Sequence, residues 1–360
     1  MIYSNRALKR LLLPLVIEQV LVMLVGMVDT VMVASAGEAA VSGVSLVDMV
    51  NYLIITVMAA LTTGGSVIIS QYAGSRQPEQ AERSAGQLMT VTLLLSAAIL
   101  AVCLLGRDAI LRLFFGSAVV MTRLAFRRQN SVPLYWHHIL MWDTLVVRRI
   151  LRIAVPNGLE NGLFALGKVL VTSIVAGFGT VQIAANGVAN SVDQIAVIVV
   201  NAVNLAMVPV VGQCVGASDY TQAAHYTKKL MRISYLFTAV LGLAVCVLLP
   251  VLLPLYGLSA DTLRLAALLI ALHNALALLL HPTSFNLANS LRAAGDVRFT
   301  MIVGICSMIV FRLGSALLFG KLLRLRIVGV WIAMGMDWLA RSIAFTIRYK
   351  SGKWKEKRAI

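Results

Sequence analysis

Four of the titratable side chains inside long apolar stretches of the sequence are candidates for coupling: Glu18, Asp29, Glu160 and His281. An ionisable group costs about 2.5–3.5 kcal/mol to insert at the centre of a bilayer, and it is by default a functional candidate. A buried carboxyl group can take up a proton near neutral pH, and an organic cation or sodium can take the proton's place. These residue types predict proton or cation coupling inside a membrane.

Two of these carboxylates, Glu18 and Asp29, belong to the first apolar stretch. Their spacing of about three helical turns puts them on nearly the same face, about 16 Å apart. Both are candidates for coupling. A structural role stays open for each, and for Glu18 it would be a hydrogen bond to another span or a pair with the basic N-terminus.

The other two candidates lie in the second half of the chain. Glu160 shares a broad helix face with Lys168, at about 80° around the axis; it is either a coupling acid or a hydrogen-bond acceptor near the start of the helix. His281 precedes Pro282, and a proline inside a helix bends it. The bend would lie beside the histidine, a group that can bind a proton near pH 6.5. The alternative interpretation is a structural histidine whose hydrogen bonds are satisfied inside the protein core.

Uncharged polar residues within the spans are candidates to line a cavity, or side chains that join helices. The cavity-lining candidates are Gln71, Asn201, Asn204 and Gln213. Asp337 and Arg341 stand at the i, i+4 spacing of a helical ion pair. Together with Arg312, they are interpreted as a structural pair near the helix ends.

Composition indicates the environment of these residues. Of 360 residues, 59% are hydrophobic and 13% are charged, whereas soluble domains have about 25% charged residues. The net charge of +16 comes from basic residues in short segments between apolar runs, which is the positive-inside pattern rather than a nucleic-acid surface. We therefore predict a multi-pass protein of the cytoplasmic membrane, with no nucleic-acid partner.

Nine apolar stretches are long enough to cross about 30 Å of hydrocarbon. They do not alternate with the period of two that a barrel requires, so they predict an all-α membrane protein. The predicted spans are residues 11–34, 48–70, 87–105, 153–176, 188–211, 231–255, 264–288, 299–320 and 327–347.

The two halves of the chain repeat at a constant offset of 142 residues. The identities include a shared Pro-x-x-x-Glu and pair Arg10, Pro14, Glu18, Gln71, Gly74, Gln80 and Ala81 with Arg152, Pro156, Glu160, Gln213, Gly216, Gln222 and Ala223. Both copies begin after basic residues, which predicts parallel repeats related by an axis along the membrane normal. The second copy has six spans and the first has three, so three spans are missing after about residue 116.

This arithmetic gives the domain boundaries. We predict a partial N-terminal lobe at 1–116 with three helices, a basic and aromatic interfacial linker at 117–150, a six-helix C-terminal lobe at 151–347 and a basic tail at 348–360. Because the basic loops and tail should lie inside, both termini are predicted to be cytoplasmic.

Four segments of the sequence form recognisable motifs: LVGMVDTVMVAS at 24–35, ISQYAGSRQPEQAERSAGQ at 69–87, VPNGLENGLF at 155–164 and HPTSFNLANSLRAAGDV at 281–297. In these motifs the sequence resembles the multidrug and toxic compound extrusion (MATE) transporters. The resemblance implies twelve helices in two lobes around a central cavity, and export of organic cations in exchange for H+ or Na+. Here the counterparts of helices four, five and most of six are absent.

The resemblance also assigns roles. Asp29 occupies the position of the acidic coupling residue in the family's VDT motif. Glu160 lies near the position of a carboxylate on the family's helix seven, and His281 replaces an aspartate that some members carry on helix ten. We expect coupled export to be weak or absent, because the first lobe lacks a wall. The alternatives are a non-transporting membrane scaffold, a decayed gene product, or a lipid-linked precursor flippase.

No enzyme motif is present: the sequence has no Walker loop, no GxSxG and no zinc spacing. The four cysteines, Cys103, Cys214, Cys246 and Cys306, predict neither a metal site nor disulfides. The expected partners are the lipid bilayer and a small cationic substrate, with no cofactor besides the coupling ion. The sequence leaves the oligomeric state open.

Overall fold

The computed structural model describes residues 3–35, 38–105 and 143–357, with side chains at 3–25, 54–99, 143–254 and 256–357. Asp29 therefore lies on a described helix, but its side chain is outside the described part. Most of the predicted linker at 117–150 also lies outside these ranges.

Within the described ranges the chain forms nine helices that follow the nine predicted spans. They are α1 (Asn5–Ser35), α2 (Glu38–Gly74), α3 (Pro78–Leu105), α4 (Thr144–Ala176), α5 (Thr180–Gly216), α6 (Tyr220–Leu252), α7 (Ala260–Ala293), α8 (Val297–Leu322) and α9 (Arg326–Lys350). Seven of them are long and apolar enough to cross a membrane: α2 and α4–α9. The all-helical membrane fold predicted from the sequence is confirmed.

Helix α4 begins within the predicted linker. The carboxylate of Asp143 accepts hydrogen bonds from the backbone N–H groups of Leu145 and Val146, at 2.9 and 3.2 Å. This cap satisfies two N–H groups that have no partner inside the helix. The helix therefore starts at Thr144, and residues 144–150 are helical.

The eighth helix changes its winding part-way. Val297–Cys306 is α-helical, and Ser307–Gly314 and Ala316–Leu322 form wider π-helical turns. Such turns are rare and frequently occur at functional positions. In α8 they bring Ser307 and Arg312 to a carboxylate of α9.

Three apolar cores hold the helices in place. One lies among α5, α6, α7 and α9, a second near the other end of α4–α9, and a third joins α2 and α3 to α4. Large side chains without exposed surface in these cores include Leu230, Phe345, Ile270, Ile327, Ile68 and Ile150. The third core ties the shorter first lobe to the second.

Helices α2 and α5 cross at their last residues, and both are glycines. A Cβ atom at Gly74 would lie 1.9 Å from the carbonyl oxygen of Gln213, and one at Gly216 would lie 1.9 Å from the carbonyl oxygen of Gln71. The absence of a side chain is what permits this approach. The residues are partners in the repeat of 142, so the contact is reciprocal. This reciprocal contact agrees with the parallel internal repeat that the sequence predicts.

The crossing gathers three loops at one end of the bundle. The side-chain amide of Gln71 donates a hydrogen bond to the carbonyl oxygen of Ala293 at 2.8 Å. The end of α2 therefore meets the ends of α5 and α7. The loops that follow these three helices share one end of the protein, as parallel repeats require.

Candidate transport site

Glu160 of α4 forms an ion pair with Arg292 of α7 inside the second lobe. Its Oε1 atom accepts a hydrogen bond from Arg292 Nη2 at 2.6 Å, and 4% of Glu160 is exposed. Gly304 of α8 leaves room for the carboxylate, because a Cβ there would lie 2.5 Å from Oε1. A guanidinium keeps its charge in proteins, so it occupies the place that a second cation would need.

His281 lies in an aromatic cluster formed by α7 and α9. Its imidazole stacks on the ring of Phe285, with 4.3 Å between centroids, and meets the edge of Trp338 at 4.9 Å. The residue is buried, and its Nδ1 atom has no hydrogen-bond partner in the described part of the chain. The imidazole of His281 therefore packs against two aromatic rings, those of Phe285 and Trp338.

A second pair of titratable groups lies about two helical turns away along α7 and was not singled out from the sequence. Nδ1 of His273 on α7 stands 3.2 Å from Oδ1 of Asp193 on α5, and both residues are buried. The edges of Trp331 and Trp338 face the imidazole at 5.8 and 5.4 Å. The signal that could have identified them is an ionisable residue inside an apolar span.

Asp337 of α9 has no exposed surface and faces two arginines. Arg341 Nε donates to its Oδ1 at 2.9 Å, and Arg312 Nη1 lies 3.7 Å from Oδ2. Ser307 donates to the same carboxylate, and Arg341 also donates to the carbonyl oxygen of Gly304 at 3.2 Å. The i, i+4 pair predicted from the sequence is present, but it stands mid-way along α9 rather than near its end.

The π-face of Phe164 on α4 collects three cations. The guanidinium carbons of Arg341 and Arg312 lie 4.9 and 5.8 Å from the ring centroid, and Nζ of Lys168 lies at 5.4 Å. Only Asp337 offers these cations a carboxylate at ion-pair distance among the described residues. Three cations therefore surround Phe164, with one carboxylate at ion-pair distance.

The asparagine candidates join helices. The Oδ1 atom of Asn204 on α5 accepts hydrogen bonds from the side-chain amides of Asn286 and Asn289 on α7, at 2.8 and 2.9 Å. Asn286 also donates to the backbone oxygen of Val200 at 3.2 Å. Asn201 is half-buried on the same helix. These contacts match the helix-joining interpretation of Asn204.

The remaining candidates belong to the first lobe and the crossing. Glu18 is exposed on α1, which packs against α5. Gln71 is fully buried and Gln213 is half-buried, both at the contact between α2 and α5. No group of three or more His, Cys, Asp or Glu within the described ranges is arranged to hold a metal ion.

Comparison with known protein families identifies this helical arrangement. The family model MatE matches residues 14–125 and 156–318, one stretch in each half of the repeat. The chain belongs to the MatE family. Members of this family are transporters rather than enzymes, so the buried ionisable groups are groups of a transport protein.

Individual MatE relatives cover most or part of the chain. The "Uncharacterized transporter YisQ" of Bacillus subtilis (strain 168) is 23% identical, with 96% of this chain and 94% of that protein covered. The "Probable multidrug resistance protein NorM" of Thermotoga maritima is 23% identical over 68% of this chain, which spans about half (52%) of that protein. A crystal structure of MATE in the straight conformation has the same fold, with a TM-score of 0.84, 17% identity and 96% of both chains covered.

The comparison with YisQ also shows a difference in length. That alignment extends over 430 residues, whereas this chain has 360, so at least 70 aligned positions have no counterpart here. This is the length of about three membrane spans of 20–25 residues. This difference agrees in size with the three spans that the sequence predicts to be missing from the first lobe.

Proposed function

We propose that this chain is a secondary transporter of the plasma membrane that exchanges small organic cations for protons, at a rate well below that of a family member with a complete first lobe. Family membership and the two-lobe fold support the transport of small molecules. The name of the Thermotoga relative, a probable multidrug resistance protein, supports a drug-like substrate.

The observation that carries the coupling proposal is the Asp193–His273 pair. Three carboxylates described in the interior of α4–α9 lie in the middle of spans. Glu160 faces Arg292, and Asp337 faces two arginines, so both are neutralised by charges that do not titrate near neutral pH. Asp193 instead faces His273, and histidine is the residue type best suited to gain and lose a proton under physiological conditions.

One proton changes the electrostatic state of this pair. When the imidazole of His273 is neutral, the carboxylate of Asp193 is a buried negative charge, and only the dipole of the imidazole stabilises it. When His273 binds a proton, the two groups form a neutral ion pair across 3.2 Å. A buried charge without a partner costs several kcal/mol. The protonated and the unprotonated pair therefore favour different packings of α5 against α7. That difference is what a proton-coupled helix movement requires.

Sodium fits the described second lobe less well. A sodium ion needs several oxygen ligands, and the carboxylates of Glu160 and Asp337 are already occupied by guanidinium groups. The positive excess around Phe164 also repels a cation. We therefore place the substrate cation at α1, which carries the exposed Glu18 and also Asp29, and the proton in the second lobe.

Asp193→Asn should abolish proton-driven exchange while leaving the protein folded. The reason is that asparagine keeps the size of the side chain but cannot form the ion pair. The measurement is efflux of a cationic dye from proteoliposomes under an imposed pH gradient. Asp261→Asn is the matched control, because Asp261 is an exposed acid outside the pair and its loss should leave the rate within twofold.

Two outcomes would contradict this proposal. Equal efflux in wild type and Asp193→Asn, or efflux driven by a sodium gradient without a pH gradient, would remove the pair from coupling. No efflux above empty liposomes in wild type would instead favour the non-transporting scaffold. Asp29→Asn should weaken dye binding, so efflux should need a higher dye concentration to reach its half-maximal rate.

We also propose that the end of the bundle with the α2–α3, α5–α6 and α7–α8 loops faces the cytoplasm. These loops and the segments beside them carry Arg76, Lys228 and Arg292, which is the positive-inside distribution. In a cysteine-free variant, single cysteines at Ser75 and Ala217 should resist an impermeant thiol reagent added to intact cells. Labelling of both from outside would reverse the orientation.

A further inference from the structure

A cavity at the proposed cytoplasmic end of the second lobe is not used by the transport proposal. It has a volume of about 330 Å³ and lies between the beginnings of α4 and α8 and the end of α9. We call it the basic pocket; it is lined by Arg149, Arg152, Ile153, Gly295, Asp296, Val297, Arg298, Phe299, Ile302, Arg348 and Lys357. Five of these side chains are cations and one is a carboxylate.

The single carboxylate does not balance the five cations. Asp296 is bound at both oxygens by Arg348, at 2.6 Å from Nε and 3.1 Å from Nη2. Arg149 donates to the hydroxyl of Tyr72. Arg152 and Arg298 are exposed and have no ion pair among the described residues. The basic pocket therefore gathers unneutralised positive charge around an open space.

The backbone at the start of α8 adds to this field. Asp296 precedes the helix, but its side chain makes no capping hydrogen bond because it is turned to Arg348. The first N–H groups of α8 are thus left without a side-chain acceptor from the cap. Such N–H groups and the helix dipole favour a negative charge next to them.

Exposed apolar residues lie one turn deeper on the same two helices. Val155 follows Arg152 on α4 and Ile302 follows Arg298 on α8, at exposures of 53% and 55%. Both helices continue as membrane spans. The surface therefore changes from basic to apolar over one helical turn, about 5 Å. A free anion would use only the basic part, whereas a phospholipid would use both.

We infer that the basic pocket binds the phosphate headgroup of an anionic phospholipid from the leaflet on this side of the membrane, with the acyl chains along α4 and α8. Basic pockets between spans on the cytoplasmic side recognise such headgroups by charge. Arg152 and Arg298 would contact the phosphate, and Arg348 would be fixed by Asp296. The inference rests on the pocket and not on transport, so it can fail or hold independently of the coupling proposal.

The test measures thermal unfolding of the purified protein in a neutral detergent. Phosphatidylglycerol should raise the unfolding temperature in a saturable way, while phosphatidylcholine and inorganic phosphate at the same concentrations should not. The double variant Arg152→Gln/Arg298→Gln should need about thirtyfold more phosphatidylglycerol for half of the effect, because each basic contact with an anionic lipid contributes about a factor of five.

The matched control removes two exposed basic residues from the same end of the protein outside the pocket. Lys228→Gln/Arg232→Gln should keep the wild-type lipid response. If the double pocket variant does not fold, Arg152→Gln alone should still need about fivefold more lipid. Equal lipid dependence in wild type and pocket variants would overturn the inference. A full response to inorganic phosphate would show a free-anion site and would also overturn it.

Discussion

Replacing Arg292 by alanine should destabilise the protein by about 3–5 kcal/mol, because it leaves Glu160 as a buried carboxylate without its partner. The pair is closed by Oε1 and Nη2 at 2.6 Å, and the other carboxylate oxygen already has no hydrogen-bond partner in the described part of the chain. Thermal unfolding in detergent, followed by tryptophan fluorescence, should show a transition lowered by several degrees.

The double variant Glu160→Gln/Arg292→Gln separates loss of the pair from loss of packing. It removes both charges and keeps the side-chain volume of the acid, so it should unfold much closer to wild type than Arg292→Ala does. Arg264→Ala is the control, because Arg264 is exposed and surface changes stay within about 0.5 kcal/mol. If Arg292→Ala unfolded like Arg264→Ala, the ion pair would have no structural role.

Gly216→Leu should also destabilise the protein, by about 3 kcal/mol or more. The position of a Cβ at residue 216 is 1.9 Å from the carbonyl oxygen of Gln71, and a backbone atom cannot turn away as a flexible side chain can. The leucine would force α5 away from α2 and separate the two lobes at their crossing. Reduced yield of folded protein and a lower unfolding temperature are the expected measurements.

Gly187→Leu is the matched control on the same helix. No atom lies within 4 Å of a Cβ at Gly187, so the substitution should be neutral or slightly stabilising through helix propensity. Gly74→Leu should repeat the effect of Gly216→Leu, because the two positions exchange under the repeat. A variant at residue 74 as stable as wild type would show that the crossing is not reciprocal.

Part of the candidate site was accessible from the sequence. Asp337 and Arg341 are four residues apart on one helix, so helical geometry alone brings them together. The repeat partners Gln71 and Gln213 were also identifiable, because polar identities at a fixed offset stand out in apolar sequence. Glu160 was correctly recognised as an ionisable group within a span.

The partners of these groups were not accessible. Glu160 and Arg292 are 132 residues apart, and no local spacing links them. Asp193 and His273 each lie inside a predicted span, yet neither has a motif or a repeat partner of the same type. Their proximity follows from the rotation of α5 and α7 about their own axes, which side-chain packing fixes.

The sequence by itself determined the features that depend only on the order of residues along the chain. Runs of about 20 apolar residues must be helices in a bilayer because each backbone hydrogen bond must close within its own segment. The spans, the repeat and the incomplete first lobe followed from that rule and from the offset of 142. Tertiary structure decided which polar groups meet. Each helix can present any face to its neighbours, and only close packing of α2, α4, α5, α7, α8 and α9 selects the pairs Glu160–Arg292 and Asp193–His273.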